Sequence, residues 1–186
     1  ARESKKYQSF PFNKWHHELK LLKKLNLNII EWVVCAYNKK NPILSDKGIK
    51  KILSAKNKLK LKINSITVDY FMYYPFFKKK NFFLRQKIFE NLKRIILNSN
   101  QIGVKFIILP ILEESSINNE IEEKVLIQNL NKFIPILKIN KQKILFETDM
   151  KPECVSYFLK NFDIKFFGIN YDAGNSAGLN YSLTKE

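Results

Sequence analysis

Apolar positions along the chain switch repeatedly between two periods. In 13–27, "NKWHHELKLLKKLNL", Trp15, Leu19, Leu22 and Leu25 recur at helical spacing. The next stretch, "NIIEWVV" (28–34), is rich in branched residues and predicts a strand. The succession then repeats. A helix is predicted over 45–59 with Ser45 as its N-cap, then a strand over 62–71. A long helix follows over 81–100, with Gly103 placed for a left-handed turn just beyond it. A strand over 104–110 leads to a helix over 119–137, which Pro135 kinks or restarts. A strand over 143–149, a short helix opened by Pro152 and a last strand over 165–172 complete the pattern.

Strands with nearly continuous apolar runs, separated by amphipathic helices, indicate an α/β fold with a parallel sheet covered by helices. Two architectures fit, an open doubly wound sheet and a (β/α) barrel. No glycine-rich phosphate loop follows any strand, which argues against a nucleotide-binding open sheet. The 186 residues are 45% hydrophobic and contain no low-complexity linker, so one domain over 1–186 is expected.

Composition narrows the partners. Apolar runs such as "FIILPIL" are too short to span a bilayer, and the charged opening "ARESKKYQSF" has no signal-peptide core. A cytoplasmic protein with no membrane partner is the expectation. The two cysteines, Cys35 and Cys154, form no CxxC pair, which argues against a disulfide framework or a cysteine zinc site. The net charge of +16 is what a polyanion partner would favour. Yet the lysines are spread along the chain together with Ile and Asn, residues that share A/T-rich codons. A nucleic-acid footprint should be clustered, so nucleic acid is not the expected partner; anionic sugar phosphates are compatible with the charge.

The candidate chemistry lies at the predicted strand ends. Glu31, Asp69, Glu113, Glu147 and Asp172 follow the five strands in turn. In either architecture ligands bind at that end of the sheet. Crowded carboxylates repel one another unless a cation or a shared proton offsets the charge, and oxygen ligands suit Mg²⁺ or Mn²⁺. Acids also cap helices, where the N-terminal dipole favours negative charge; Asp149 and Glu153, flanking Pro152, fit that reading. Glu147 and Asp172 directly end apolar strands and are the stronger site candidates.

"KILFETDM", followed by "GINYDAGNSAG", resembles the sugar phosphate isomerase/epimerase family with a xylose isomerase-like TIM barrel. "YQSFPFNKWHHELKLLKKLNLNIIEW" is similar to that family's opening helix and second strand, "INSITVDYFMYYPF" to its third strand and "GVKFIILPIL" to its fourth. The resemblance implies an incomplete barrel, truncated at both ends, holding strands two to six of the eight. It implies Glu147 and Asp172 as ligands of a divalent ion (Mn²⁺, Mg²⁺, Co²⁺ or Zn²⁺), with Glu147 also a catalytic acid/base. Asn175 stands where the family often has a substrate-contacting histidine, and Glu153 where some members place a glutamate on the reacting end of the substrate. Glu31 and Asp69 are expected to contact substrate with them.

The implied reaction removes a proton next to a carbonyl, with metal and carboxylate stabilising and reprotonating an enediolate. Its substrate is a small sugar or sugar phosphate, and a homo-oligomer is compatible. The small residues after Asp172 are expected to form a loop that admits close backbone approach. The aromatic segment 70–83 is expected to cover the barrel mouth. The resemblance also places a further histidine and glutamate ligand on strands seven and eight, and neither is found after Tyr181. His16 and His17, on the first helix, do not replace them. A non-catalytic barrel fragment that binds a sugar or a partner chain is therefore the rival reading. An endonuclease IV-like DNA repair enzyme is a weaker third, because that branch uses several histidines for three zinc ions.

Overall fold

The computed structural model describes residues 9–179 and Tyr181. Tyr7 and Gln8 of the opening motif lie outside the described residues, as do Asn180 and 182–186. Helix and strand alternate in the order α1 (Trp15–Lys24), β1 (Ile29–Val33), α2 (Asp46–Leu59), β2 (Lys62–Thr67), α3 (Asp69–Tyr73), α4 (Phe82–Gln101) and β3 (Phe106–Ile111). There follow α5 (Glu120–Leu130), α6 (Ile134–Asn140), β4 (Lys143–Thr148), α7 (Pro152–Leu159), β5 (Phe167–Ile169) and α8 (Ala173–Gly178). The five strands are all parallel and ordered β1-β2-β3-β4-β5, as successive βα units produce.

Local chemistry sets the boundaries. Ser45 caps α2 by accepting from the Gly48 N–H at 3.2 Å, and Asn81 and Asn119 cap α4 and α5 in the same way. Gly103, at φ 95°, makes the left-handed turn into β3. The predicted helix around Pro135 is two helices, α5 and α6, joined by a 3-10 turn at Asn131–Phe133, with Pro135 in the first turn of α6.

The two sheet faces differ in chemistry. One carries Trp32, Ile66, Ile107, Leu109, Ile144, Phe146 and Phe167, all buried beneath the helices. Trp32 packs against Trp15 of α1, and Phe146 against Phe158 of α7. Truncating a ring such as Phe146 to alanine costs about 3–5 kcal/mol in cores of this kind. Side chains alternate across a strand, and register does the rest. Glu31 pairs with Ser65, Thr67 with Ile108, Ile108 with Leu145 and Pro110 with Glu147. The second face therefore presents Glu31, Ser65, Thr67, Glu147 and, one step beyond β5, Asn170.

Three expectations are corrected. The strand predicted to run to residue 71 ends at Thr67, and Asp69–Tyr73 turns into α3. Its backbone is recaptured by neighbouring strands, with Val68 N–H donating to Ile108 O and Tyr70 N–H to Val34 O. The run of small residues after Asp172, expected as a loop, is the helix α8. The aromatic segment is mainly core: Tyr70, Phe71, Phe76 and Phe77 are buried, while Tyr74, Phe82 and Phe83 are exposed. Its packing, not a cover over the mouth, accounts for the first four. No helix among the described residues is long and apolar enough to cross a membrane.

Candidate functional site

Glu147 is the penultimate residue of β4, on the polar face and half-buried. Each of its oxygens accepts an amide N–H. Asn170 Nδ2 donates to Oε2 at 3.2 Å and Asn175 Nδ2 to Oε1 at 3.1 Å. Burial raises its pKa above the ordinary glutamate value. The two amide bonds work against that rise, while the charges of Asp172 and Glu31 add to it. Glu147 is thus held in one orientation by two neutral donors, in a field of like charge.

Asp172 sits beyond β5 with a second duty. Its Oδ1 accepts from the Gly174 and Asn175 N–H groups at 2.7 and 3.1 Å, so it is the N-cap of α8. The cap also fixes the start of the helix on which Asn175 stands, and Asn175 in turn holds Glu147. Cap, amide and carboxylate form one chain of positioning from β5 back to β4.

Glu31, on β1, extends its carboxylate over β2. Oε2 accepts from Ser65 Oγ and Oε1 from Thr67 Oγ1, both at 2.6 Å. A register shift between Ile30 and Glu31 makes this reach possible, because it sets Glu31 opposite Ser65 and Val33 opposite Thr67. Asp69, in the first turn of α3, is only 5% exposed. Its pKa is pushed up to about 6, by burial first and then by the charges of Glu147 and Glu31.

The structure therefore brings Glu31, Asp69, Glu147, Asp172 and Asn175 to one end of the sheet. Glu153 does not join them through any bond: it is exposed in the first turn of α7. Glu113 is exposed too, and its backbone N–H donates to Asp149 Oδ2 at 3.3 Å. Asp149 does not cap α7; it also accepts from Ser116 Oγ at 2.5 Å and so ties the β3 and β4 loops together. Asn170, Ser65 and Thr67 went unpredicted, since nothing but the strand register shows which carboxylate they meet. Beside the cluster lies a groove of about 520 Å³ whose lining includes Thr148, Val155, Leu159, Asn170, Tyr171 and Asp172. Its size suits a small ligand, and Asn170 links it to Glu147.

Among the described residues, no three His, Cys, Asp or Glu side chains are grouped so as to hold a metal ion. Glu147 and Asp172 offer two carboxylates, where divalent ions take four or more ligands. One oxygen of Asp172 and both of Glu147 already accept hydrogen bonds. The pair by itself does not fit an ion's full shell. Neutral donors, rather than cations, meet most of these acids: the ion pairs Lys78–Glu122, Lys93–Glu90 and Lys124–Glu120 all lie elsewhere.

No protein-family model matches the sequence, and neither does any curated protein. Solved structures do match the fold. A xylose isomerase-like TIM barrel protein from Mycobacterium smegmatis, in complex with magnesium, superposes with a TM-score of 0.65 at 16% identity, over 90% of this chain and 58% of that one. A sugar phosphate isomerase/epimerase from Parabacteroides distasonis gives 0.64 at 18% identity, over 91% of this chain and 63% of that one. D-psicose 3-epimerase, in the presence of D-fructose, gives 0.70 at 12% identity, over 88% of this chain and 60% of that one. At such identities the likeness is one of fold. The five-stranded sheet of this chain has the xylose isomerase-like TIM-barrel fold, over 57–65% of the length of the solved barrels that share it.

Proposed function

We propose that the chain carries acid–base residues of a sugar isomerase or epimerase, acting on a ketose or its phosphate through an enediolate, with Glu147 taking the proton from carbon. The carrying observation is the Glu147 carboxylate itself. It is half-buried at the C-terminal end of a parallel strand, held by Asn170 and Asn175, with its pKa raised toward the range useful to a general base. The placement is the one expected of an active site in this fold. The shared fold includes an epimerase studied with D-fructose.

In the proposed step, the C–H bond next to the carbonyl breaks and its proton goes to Glu147. The electron pair forms the new C=C bond, and the carbonyl pair moves onto oxygen. Protonated Glu147 then returns the proton to the former carbonyl carbon, while the hydroxyl proton of the first carbon moves across to the enediolate oxygen, which completes an isomerisation. Epimerisation needs a second group on the other face. Asn175 and Asn170 keep the carboxylate aimed while it gains and loses its charge. Any dependence on a divalent ion would involve Glu147 and Asp172 as two of the ion's ligands.

The test is exchange of hydrogen with solvent. The chain is incubated with D-fructose in D₂O, with and without Mn²⁺, and deuterium at the carbons flanking the carbonyl is followed by NMR. Incorporation that disappears in Glu147→Gln supports the proposal. No incorporation by the wild-type chain in either condition contradicts it. A second reading, sugar binding without catalysis, is favoured by one observation: both Glu147 oxygens are already engaged as acceptors. Saturable D-fructose binding without exchange would establish that reading instead.

A further inference from the structure

We propose that Asp69 is a second catalytic residue of this site, passing a proton between the oxygens of the bound sugar while Glu147 passes one between its carbons. The inference rests on the isomerase reading above. It starts from a contrast in partners. Glu31, Glu147, Asp149 and Asp172 each accept two hydrogen bonds. Among the described residues, the Asp69 carboxyl is bonded to none, and no ion pair reaches it. It is nonetheless the most buried acid of the cluster, 95% removed from solvent. A carboxylate serving structure alone would be satisfied as its neighbours are, because burying an unmet charge is costly.

Every fully enclosed side-chain nitrogen or oxygen among the described residues has a hydrogen-bond partner. The Asp69 oxygens have none, so they keep a narrow opening. The charges acting on Asp69 are those of Glu147 on β4 and Glu31 on β1, and the titratable phenol of Tyr73 on α3 senses Asp69. Tyr73 in turn senses Glu113, Glu114 and Cys35. Both charges acting on Asp69 are carboxylates, and the hydrogen bonds of both go to other groups. Two features follow from physics. The protonated form of Asp69 is favoured, first by burial and then by Glu147 and Glu31. A protonated carboxyl with free valence is a hydrogen-bond donor as well as an acceptor, which is what a hydroxyl–carbonyl pair of a sugar needs beside it.

The proton balance closes with these two groups. Glu147 takes the proton from one carbon, and protonated Asp69 gives its own to the carbonyl oxygen, leaving a neutral enediol. The hydroxyl on the other carbon then returns a proton to Asp69, and Glu147 delivers its proton to the second carbon. Both carboxyls are restored and the carbonyl has moved by one carbon. No oxidant, reductant or further reactant is required.

The experiment compares wild type, Asp69→Asn, Asp69→Glu and Glu147→Gln on D-fructose, measuring kcat and KM from pH 4.5 to 8.5. Asp69→Asn is expected to lower kcat by about 10²-fold or more with little change in KM. The wild-type profile should lose activity as pH rises through about 6, and that limb should vanish in Asp69→Asn. Asp69→Glu, which keeps an acid at this point, should recover part of the rate and the limb. A wild-type rate and profile retained in Asp69→Asn overturns the inference while leaving the isomerase reading intact. A wild-type chain with no exchange on D-fructose overturns both. Should Asp69→Asn fail to fold, Asp69→Glu decides: an unshifted falling limb counts against the assignment.

Discussion

Glu147 and Asp69 lie at the ends of β4 and β2, facing the same polar side of one sheet, and they solve the same problem in opposite ways. Glu147 is half-buried and meets two amide donors. Asp69 is nearly enclosed and meets other acids. The first arrangement offsets part of the cost of a charge with donors; the second leaves that cost unmet and favours a proton. Glu31, with two hydroxyl donors, belongs with Glu147. The difference shows that a ring of acids at strand ends is not one chemical entity. Which member carries charge depends on the donors that register and helix placement bring to it.

The largest expected effect tests the unsatisfied side. Asp69 has a folded-state pKa of about 6 against an ordinary 3.8. The folded protein therefore binds more protons than the unfolded chain between those values, and stability falls as pH rises through that window. The burden is fully present above about pH 6 and absent below about pH 4. Asp69→Asn should thus unfold at higher urea than wild type at pH 8, by about 2–3 kcal/mol, with no advantage at pH 4. An equal midpoint at both pH values would place Asp69 among the satisfied acids.

A smaller effect tests the satisfied side. Thr67→Val removes one donor from Glu31 while keeping shape, and should cost about 1–2 kcal/mol in urea unfolding at pH 7. Asn175→Ala should cost about 1 kcal/mol and move the Glu147 pKa further upward, since its amide now holds that value down; carbon-13 shifts of the glutamate carboxyls report it. Asp172→Ala should cost about 0.5–1 kcal/mol through loss of the α8 cap, read as a lowered Tm. Asn175 rides on that helix, so the same variant should weaken the Asn175–Glu147 bond.

Much of this was written in the chain. The alternation of 3.6-residue and two-residue patterns located the five strands and the main helices, because each strand is buried by a helix whose apolar stripe is long enough to read. Glu147 and Asp172 were visible as acids ending apolar runs. The role of Asp172 as a cap was not read, because the glycines of "AGNSAG" suggested a loop. The burial of Asp69 was hidden, since the apolar run "ITVDYF" continues past the point where β2 stops. Only the neighbouring strands, which capture Val68 and Tyr70, show the chain turning into α3. Ser65, Thr67 and Asn170 are ordinary polar residues in sequence; they gain meaning from a register shift in β1 and from the β4–β5 pairing.

The contrast between the two carboxyls can be measured directly by a carbon-13 NMR titration of the aspartate side-chain carboxyls, with Asp69 assigned through its disappearance in Asp69→Asn. For Asp69 the expected midpoint is about 6, lowered when Glu147 is replaced by glutamine because one of the opposing charges is gone. A midpoint near 4, unmoved by Glu147→Gln, would contradict that contrast.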